Sequence, residues 1–173
     1  MTTIRSTSLG LLMAATLLTL GAPRAFAQQE TKTIPTRFGA LQISDMNALS
    51  YRGRPFAPPI EGEGDLNPLR TFVQGDRDIV LVQDNAGTAC PAQLVFVTVR
   101  REGVRATPKF GSCSDSFQIR SSGDGVITVT MPGHAGPFEP PAEQRRAAAR
   151  RHVFVLAADG TLTENGKPVP THP

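Results

Sequence analysis

Residues 92–100 read Ala-Gln-Leu-Val-Phe-Val-Thr-Val-Arg, and residues 104–110 read Val-Arg-Ala-Thr-Pro-Lys-Phe. Both runs are rich in β-branched and aromatic side chains, and the turn sequence Arg-Glu-Gly at 101–103 separates them, which predicts a β-hairpin. Residues 94–97 are apolar without alternation, so we expect both faces of this strand to be covered. The hairpin therefore predicts a central, buried strand in the middle of the chain.

Short strands are predicted on both sides of this hairpin. Residues 34–44, 78–83, 117–120 and 126–131 are further β-favouring runs, and turn residues separate most of them. Apolar and threonine side chains alternate in the last run, so one of its faces is expected to meet water. The spacing predicts an all-β fold, an antiparallel meander that forms a small sandwich or a partly open barrel.

The first 27 residues have the pattern of a secretory signal peptide. A singly charged start at 1–5 precedes the uncharged apolar run 9–20, and Ala-Phe-Ala at 25–27 supplies small residues where a signal peptidase reads. We expect cleavage between Ala27 and Gln28 and a periplasmic or secreted mature protein. The apolar run is too short to span a bilayer comfortably, so no membrane anchor is expected after cleavage.

The mature chain, residues 28–173, has the length of one domain with its own core. Loss of Arg5 and Arg24 with the signal lowers the number of basic side chains from 18 to 16, against 15 acidic ones. This balance provides no long-range field that would attract nucleic acid or an anionic membrane. The absence of Trp and the single Tyr disfavour a sugar-binding platform or a base-stacking surface.

Cys90 and Cys113 are the two cysteines of the chain, and export to an oxidising compartment predicts that they form a disulfide. Counting outward from a three-residue loop at 101–103 puts Cys90 opposite Ser114, one residue from Cys113. A single bulge near Pro108 would absorb that difference. A metal site or a redox pair is the alternative, but the first needs more ligands and the second a closer spacing.

The rest of the mature chain divides into segments of different character. Residues 28–33 are polar and predict a loose leader. Residues 51–69 carry four prolines and three glycines, which predicts an irregular segment over the core. One helix is predicted at 140–151, starting at two prolines and ending with arginines. The runs 152–157 and 162–169 return to strand.

One sequence pattern extends across the middle of the chain. Gly-Thr-Ala-Cys-Pro-Ala at 87–92, Phe-Val-Thr-Val at 96–99 and Phe-Gly-Ser-Cys-Ser-Asp at 110–115 follow one another, and residues 125–133 continue the pattern. It resembles a pattern that recurs in small, uncharacterised exported bacterial proteins, over residues 76–133. The resemblance implies a β domain held by a disulfide, and it implies no catalytic residue and no function.

His134 and Asp115 are the candidate residues for catalysis. His134 follows a predicted strand and lies in a glycine-flanked loop, while Asp115 lies in a serine-rich turn beside Cys113. The chain has neither a Gly-x-Ser-x-Gly elbow nor a His-Glu-x-x-His motif. We therefore assign no catalytic residue, cofactor or metal, and keep this pair as candidates.

Acidic side chains alternate with glycines at Glu61, Glu63 and Asp65, and Asn67 follows them. Oxygen ligands two residues apart suit Ca²⁺, but the twelfth position of a calcium loop that starts at Glu61 is Phe72. The pattern favours a solvated acidic loop, with a weak calcium site as the alternative.

The predicted function is a non-enzymatic binding or inhibitory module that acts on an envelope or extracellular protein. An exposed apolar loop around Phe56 or Phe138 would favour this hypothesis. The alternative is a small envelope hydrolase or a small-ligand carrier, with a pocket near His134 and Asp115. Four arginines of the predicted helix, at 145–151, are typical of a solvated helix or of docking onto an anionic partner.

Overall fold

A sheet built around the predicted hairpin forms the middle layer of the protein. The computed structural model describes residues 31–170, so the predicted signal peptide and its cleavage site at Ala27–Gln28 lie outside the described residues. In chain order the elements within 31–170 are β1 (Lys32–Ile34), β2 (Leu41–Ile43), β3 (Ala48–Tyr51), β4 (Arg54–Glu61), β5 (Asp65–Gln74), β6 (Arg77–Asn85), β7 (Ala92–Arg100), β8 (Gly103–Ala106), β9 (Phe110–Cys113), β10 (Gln118–Ser121), β11 (Ile127–Pro132), α1 (Pro141–Ala148), β12 (Arg151–Leu156), β13 (Leu162–Glu164) and β14 (Lys167–Pro168).

The strands form three antiparallel sheets, each of them a meander. The first sheet has the order β1-β2-β3-β4, the central sheet β5-β6-β7-β8, and the third sheet β10-β11-β12-β13-β14. Strand β9 also pairs with β7 of the central sheet. Apart from β9, which pairs with β7 and not with β8, strands that are neighbours in a sheet follow one another in the chain, and the predicted all-β meander is confirmed.

Strand β7 separates two hydrophobic cores. Leu94 and Phe96 belong to the core between the central and third sheets, and Val95 and Val97 belong to the core between the central and first sheets. The first core contains Phe72, Ile79, Leu81, Ala92, Leu94, Phe96, Phe110, Ile127, Val129, Met131, Phe154, Leu156 and Leu162. The second contains Ile34, Leu41, Ile43, Leu49, Tyr51, Leu66, Val80, Val82, Val95, Val97 and Val99. The prediction that this strand is covered on both faces is confirmed, and the sheets stack in three layers.

The alternation predicted for the run 126–131 is also confirmed. Ile127, Val129 and Met131 are fully buried, whereas Thr128 and Thr130 are half-buried. The apolar face of β11 packs into the first core, and its threonine face turns away from it. Burying each such apolar side chain stabilises the fold by roughly 2 kcal/mol.

The loop predicted for the central hairpin was one residue too long. Arg100 pairs with Gly103, so the loop contains only the two residues 101–102. The pairing register then shifts twice. Counting on from the Val97–Ala106 pair would place Leu94 opposite Lys109, but Leu94 pairs with Phe110. Counting on from that pair would place Ala92 opposite Ser112, but Ala92 pairs with Cys113. The first shift lies at Pro108, where a bulge was predicted, and the second lies within β9.

The irregular segment predicted at 51–69 was wrong over most of its length. Residues 54–61 form β4, and residues 65–69 begin β5. The prolines are tolerated because both strands are sheet edges, where one side of the backbone has no ladder partner. The pairing of β4 and of β5 is interrupted by register shifts, at Leu49/Ser50 opposite β4 and at Pro68/Arg70 in β5. From the sequence, these prolines are incompatible with a central strand, and both strands in this segment lie at sheet edges.

Two further boundaries differ from the prediction. Lys32 and Thr33 belong to β1, so the predicted loose leader 28–33 includes the start of the first sheet. The predicted helix 140–151 ends at Ala148, because Arg151 already pairs with Pro132 in the third sheet. Within residues 31–170 no helix is long and apolar enough to cross a membrane.

Two buried charges at one end of β6 hold the three layers together. Asp78 accepts hydrogen bonds from the backbone N–H of Arg37 at 2.6 Å and from its Nε at 2.8 Å, which joins the central sheet to the loop after β1. Arg77 points the other way and donates to the carbonyls of Ala158 at 2.5 Å and Gly125 at 3.2 Å, next to strands of the third sheet. Each charge is therefore fully hydrogen-bonded, as burial requires.

Asp84 has the same role at the other end of β6. It is buried and accepts hydrogen bonds from Lys109 Nζ at 2.6 Å and from the backbone N–H groups of Glu63 and Gly64. Burial by itself would raise the pKa of this carboxyl, but the three donors outweigh it and hold the pKa below its ordinary value. The carboxylate thus anchors the chain where it crosses from β4 to β5.

Candidate functional site

His134 lies in the connection between β11 and α1. It is half-buried, and its Nε2 atom is buried with no hydrogen-bond partner among residues 31–170. The preceding Gly133 packs so closely on the helix that a Cβ atom there would lie 2.5 Å from the carbonyl oxygen of Ala147. The loop is thus held against α1, and the imidazole is partly enclosed.

Asp115 lies in the turn that connects the central sheet to the third sheet. Its side chain is exposed, and no hydrogen bond or ion pair joins it to His134 in the described part of the chain. Ser114 is buried, and its hydroxyl oxygen accepts a hydrogen bond from the N–H of Ser116 at 3.2 Å. That contact is typical of a tight turn after a strand. The two candidate residues therefore do not form a hydrogen-bonded catalytic pair.

The predicted disulfide is confirmed. Cys90 and Cys113 are bonded, with their Cα atoms 4.5 Å apart. Cys90 lies just before β7 and Cys113 ends β9, so the bond closes the open ends of the two paired strands. It holds the segment 107–113 in place at the point where its register shifts.

Two residues of the predicted acidic loop, Asp65 and Asn67, are held by the ammonium group of Lys32. Lys32 Nζ donates to Asp65 Oδ1 at 2.9 Å, to Asn67 Oδ1 at 3.2 Å and to the carbonyl of Leu66. The hydrogen bonds from Lys32 and Asn67 lower the pKa of the Asp65 carboxyl. Lys32 belongs to β1, and Asp65 and Asn67 belong to β5, so these hydrogen bonds tie the first sheet to the central sheet.

Phe138 is the most exposed large apolar side chain of the described residues, at 98%. Hydrogen bonds hold its loop to α1: the Gln144 side-chain amide donates to the carbonyls of Glu139 at 2.8 Å and Pro137 at 3.3 Å. The N–H of Glu139 also donates to the carbonyl of Gly136 at 3.1 Å. A phenylalanine is thereby presented to solvent on a pinned loop. Phe56, the other aromatic candidate, packs against the second core instead.

Helix α1 follows this loop and buries none of its residues. Arg146 pairs with Glu143 at 2.8 Å. Arg145, Arg150 and Arg151 are exposed, and their side chains have no hydrogen bond or ion pair within residues 31–170. Phe138 and these three arginines are exposed residues of one stretch of chain, 138–151, which we call the Phe138 surface. Sequence reasoning found its members separately, but it missed Gln144, whose only signal was its position in the first turn after two prolines.

A cleft of about 980 Å³ lies where the central and third sheets diverge. Thr98, Arg100 and Arg105 line it from the central sheet, and Leu162, Pro168 and Val169 line it from the third. A neighbouring cleft of about 600 Å³ is lined by residues 70–77 and 121–125. Neither cleft is lined by His134, by Asp115 or by any residue of the predicted segment 51–69.

No family model, no curated protein and no solved structure matches this chain. The resemblance of residues 76–133 to small exported bacterial proteins therefore stays a prediction. The function has to be argued from the geometry of the described residues.

Proposed function

We propose that this chain is an exported, non-enzymatic binding or inhibitory module that acts on another protein of the envelope or the extracellular space. The signal pattern at 1–27 and the Cys90–Cys113 bond support a periplasmic or secreted site of action. The observation that carries the proposal is Phe138, which is 98% exposed on a loop that Gln144 holds in place.

Exposure of the Phe138 side chain to water is unfavourable, and burial in a partner would recover that free energy. Burying a phenylalanine side chain is worth roughly 2–3 kcal/mol of transfer free energy. Aromatic side chains that enter a pocket of a partner commonly dominate the binding energy of an interface. Because the loop is already pinned, little conformational entropy is lost on binding. The Phe138 surface therefore has the properties of a preformed protein-binding anchor.

The charges of the chain that follows Phe138 indicate the chemistry of the partner. Three arginines of the Phe138 surface lack acidic partners in the described chain, while Glu139 and Glu143 reduce the net positive charge locally. Complementary charge at the rim of an interface speeds encounter and orients the two proteins. We expect the partner to offer an apolar pocket for Phe138 with carboxylates beside it.

The proposal predicts that Phe138→Ser abolishes capture of the partner. The oxidised mature protein, residues 28–173, would be the bait in a cross-linked envelope extract, followed by direct binding to the purified partner. Met46→Ser is the matched control, because Met46 is also exposed, at 79%, and lies in the β2–β3 turn. Neither substitution should change the thermal midpoint, since both side chains lie outside the cores. Equal capture by the Phe138→Ser variant, or no partner at all, would contradict the proposal.

Gln144→Ala should weaken binding although Phe138 itself is retained. The substitution removes donors to the carbonyls of Pro137 and Glu139, so the loop must then be ordered on binding. Ordering costs on the order of 1 kcal/mol, which corresponds to roughly fivefold weaker affinity for the purified partner. Gln118→Ala, an exposed position in β10, is the control. Unchanged affinity would show that the loop does not need this amide.

The alternative hypothesis of a hydrolase has less support. Its candidate residues His134 and Asp115 are not hydrogen-bonded to each other, and the two clefts described above lie elsewhere. A small-ligand carrier would have to use the cleft between the central and third sheets, which is lined in part by the edge strand β8 and not by His134 or Asp115.

A further inference from the structure

The edges of the three sheets are unequally protected against further strand pairing. Prolines lie in three edge strands: Pro55, Pro58 and Pro59 in β4, Pro68 in β5 and Pro168 in β14. Proline on an edge strand prevents another strand from adding, because it lacks the N–H donor. Strand β8, at the other edge of the central sheet, contains no proline, and neither do the outer strands β1 and β10.

The hydrogen bonding of β8 leaves the backbone N–H and C=O groups of two of its residues directed away from the sheet. Thr107 N–H donates to the carbonyl of Phe96 at 2.9 Å, so these two residues form a hydrogen-bonded pair of the β7–β8 ladder. Hydrogen-bonded pairs alternate in an antiparallel ladder, so Arg105 is the next β8 residue that bonds to β7. Val104 and Ala106 lie between these positions, and their N–H and C=O groups point away from β7.

The cleft lies beside this open edge. Arg105 pairs with Thr98, which pairs in turn with Ile79 of the first core, so Arg105 lies on the face toward the third sheet. Its side chain is exposed and has no hydrogen bond or ion pair among residues 31–170. Leu162 and Val169 form an apolar part of the cleft lining across from it.

We infer that the β8 edge is a second binding site, which takes an extended peptide segment of a partner protein as an additional strand. The backbone groups of Val104 and Ala106 would bond to the peptide. An acidic side chain of the peptide would face Arg105, and apolar side chains two residues away would enter the cleft. The site lies on the central sheet, and it neither uses nor requires Phe138.

The open amide of Ala106 provides the first test. A phage-displayed library of random nonapeptides would be selected on the mature protein, and the enriched peptides would be measured by fluorescence polarisation. Ala106→Pro removes the outward N–H without removing a bond to β7, while Ala106→Thr keeps that N–H. We expect Ala106→Pro to weaken binding at least tenfold and Ala106→Thr to change it less than twofold. Hydrogen exchange of the Val104 and Ala106 amides should slow when peptide binds.

Charge reversal provides the second test. Wild-type selection should enrich peptides with an acidic residue between apolar ones, and Arg105→Glu should enrich a basic residue at the same place. The inference is overturned if no peptide is enriched, or if Ala106→Pro leaves the affinity unchanged. It is also overturned if the amides of β10 are protected instead. A concentration-dependent dimer that Ala106→Pro dissociates would show that a second copy of this chain covers β8, and would likewise overturn it.

Discussion

At the scale of single residues, the buried charges of β6 show how a sheet protein joins its layers. Arg77 faces the third sheet, whereas Asp78 and Asp84 face the first, as the two-residue period of a strand requires. Each finds donors or acceptors on connecting segments between strands, and Arg77 also donates to Gln74 at the end of β5. Buried charge is tolerated only with such partners, so these contacts select one arrangement of the connections.

Removal of the Asp84 carboxylate should be strongly destabilising. Asp84→Ala leaves Lys109 Nζ and the N–H groups of Glu63 and Gly64 without their acceptor. Breaking a buried pair from one side costs about 3 kcal/mol, which urea unfolding of the oxidised mature protein would measure. Asp115→Ala is the control, because Asp115 is exposed and unpaired in the described chain, and its change should stay within about 0.5 kcal/mol. Equal effects of the two substitutions would contradict this role of Asp84.

The contribution of Asp84 should also depend on pH. Its pKa in the folded protein is lowered from the ordinary value of 3.8, because the donors to the carboxylate outweigh the effect of burial. A lowered folded pKa stabilises the protein above the unfolded pKa, and that stabilisation is lost as the pH falls through the folded value. The difference in unfolding free energy between wild type and Asp84→Ala should therefore be constant near neutrality and shrink below about pH 4. A difference that stays constant down to pH 2 would contradict it.

At the scale of elements, β8 and β9 are two short strands that share one neighbour. Both pair with β7, and the register shifts between them and again within β9. Such irregularity weakens the ladder locally. The Cys90–Cys113 bond lies at the end of this region and joins the segment just before β7 to the end of β9.

Loss of the disulfide should therefore destabilise the whole fold. The double variant Cys90→Ser/Cys113→Ser opens a loop with a sequence separation of 23 residues. The chain-entropy relation gives about 3 kcal/mol for a loop of that size, measurable by urea unfolding without reductant. Wild type measured in reductant is the control and should lose a similar amount. If the variant were as stable as the oxidised wild type, the bond would not be structural.

At the scale of the whole molecule, the chain crosses between layers at two places. It passes from the first to the central sheet at residues 62–64 and from the central to the third at residues 114–117. Because pairing within each sheet is between strands that lie close together in the chain, these crossings decide how the sheets stack. Asp84 and the close approach of Gly64 to β6 define the first of them.

The first crossing should not accept a side chain at Gly64. A Cβ atom there would lie 1.8 Å from the carbonyl oxygen of Asn85, so Gly64→Ala must displace backbone. We expect a loss of about 2 kcal/mol or more in unfolding free energy. Gly123→Ala, where the added carbon meets no atom within 4 Å, is the matched control. Similar stability of the two variants would show that the crossing can move.

Much of the candidate site was visible in the sequence as separate residues. Phe138 and the helix arginines were identified, but their exposure depends on α1 burying none of its residues, which composition does not show. Asp115 and His134 were also identified, and the fold does not hydrogen-bond them to each other. The β8 edge was missed, because which strand is an edge depends on pairing partners and not on the strand's own residues.

The sequence by itself determined most strands from β6 onward, the central position of β7, the alternation along β11 and the disulfide, because these follow from local periodicity and cysteine chemistry. It did not determine the hairpin register or the strands in 51–69. The tertiary structure decided those, together with the three-layer stack and the exposed edge. The physical reason is that a proline lacks its N–H wherever it stands, whereas the cost of that loss depends on whether a neighbouring strand lies beside it, which only the tertiary structure decides.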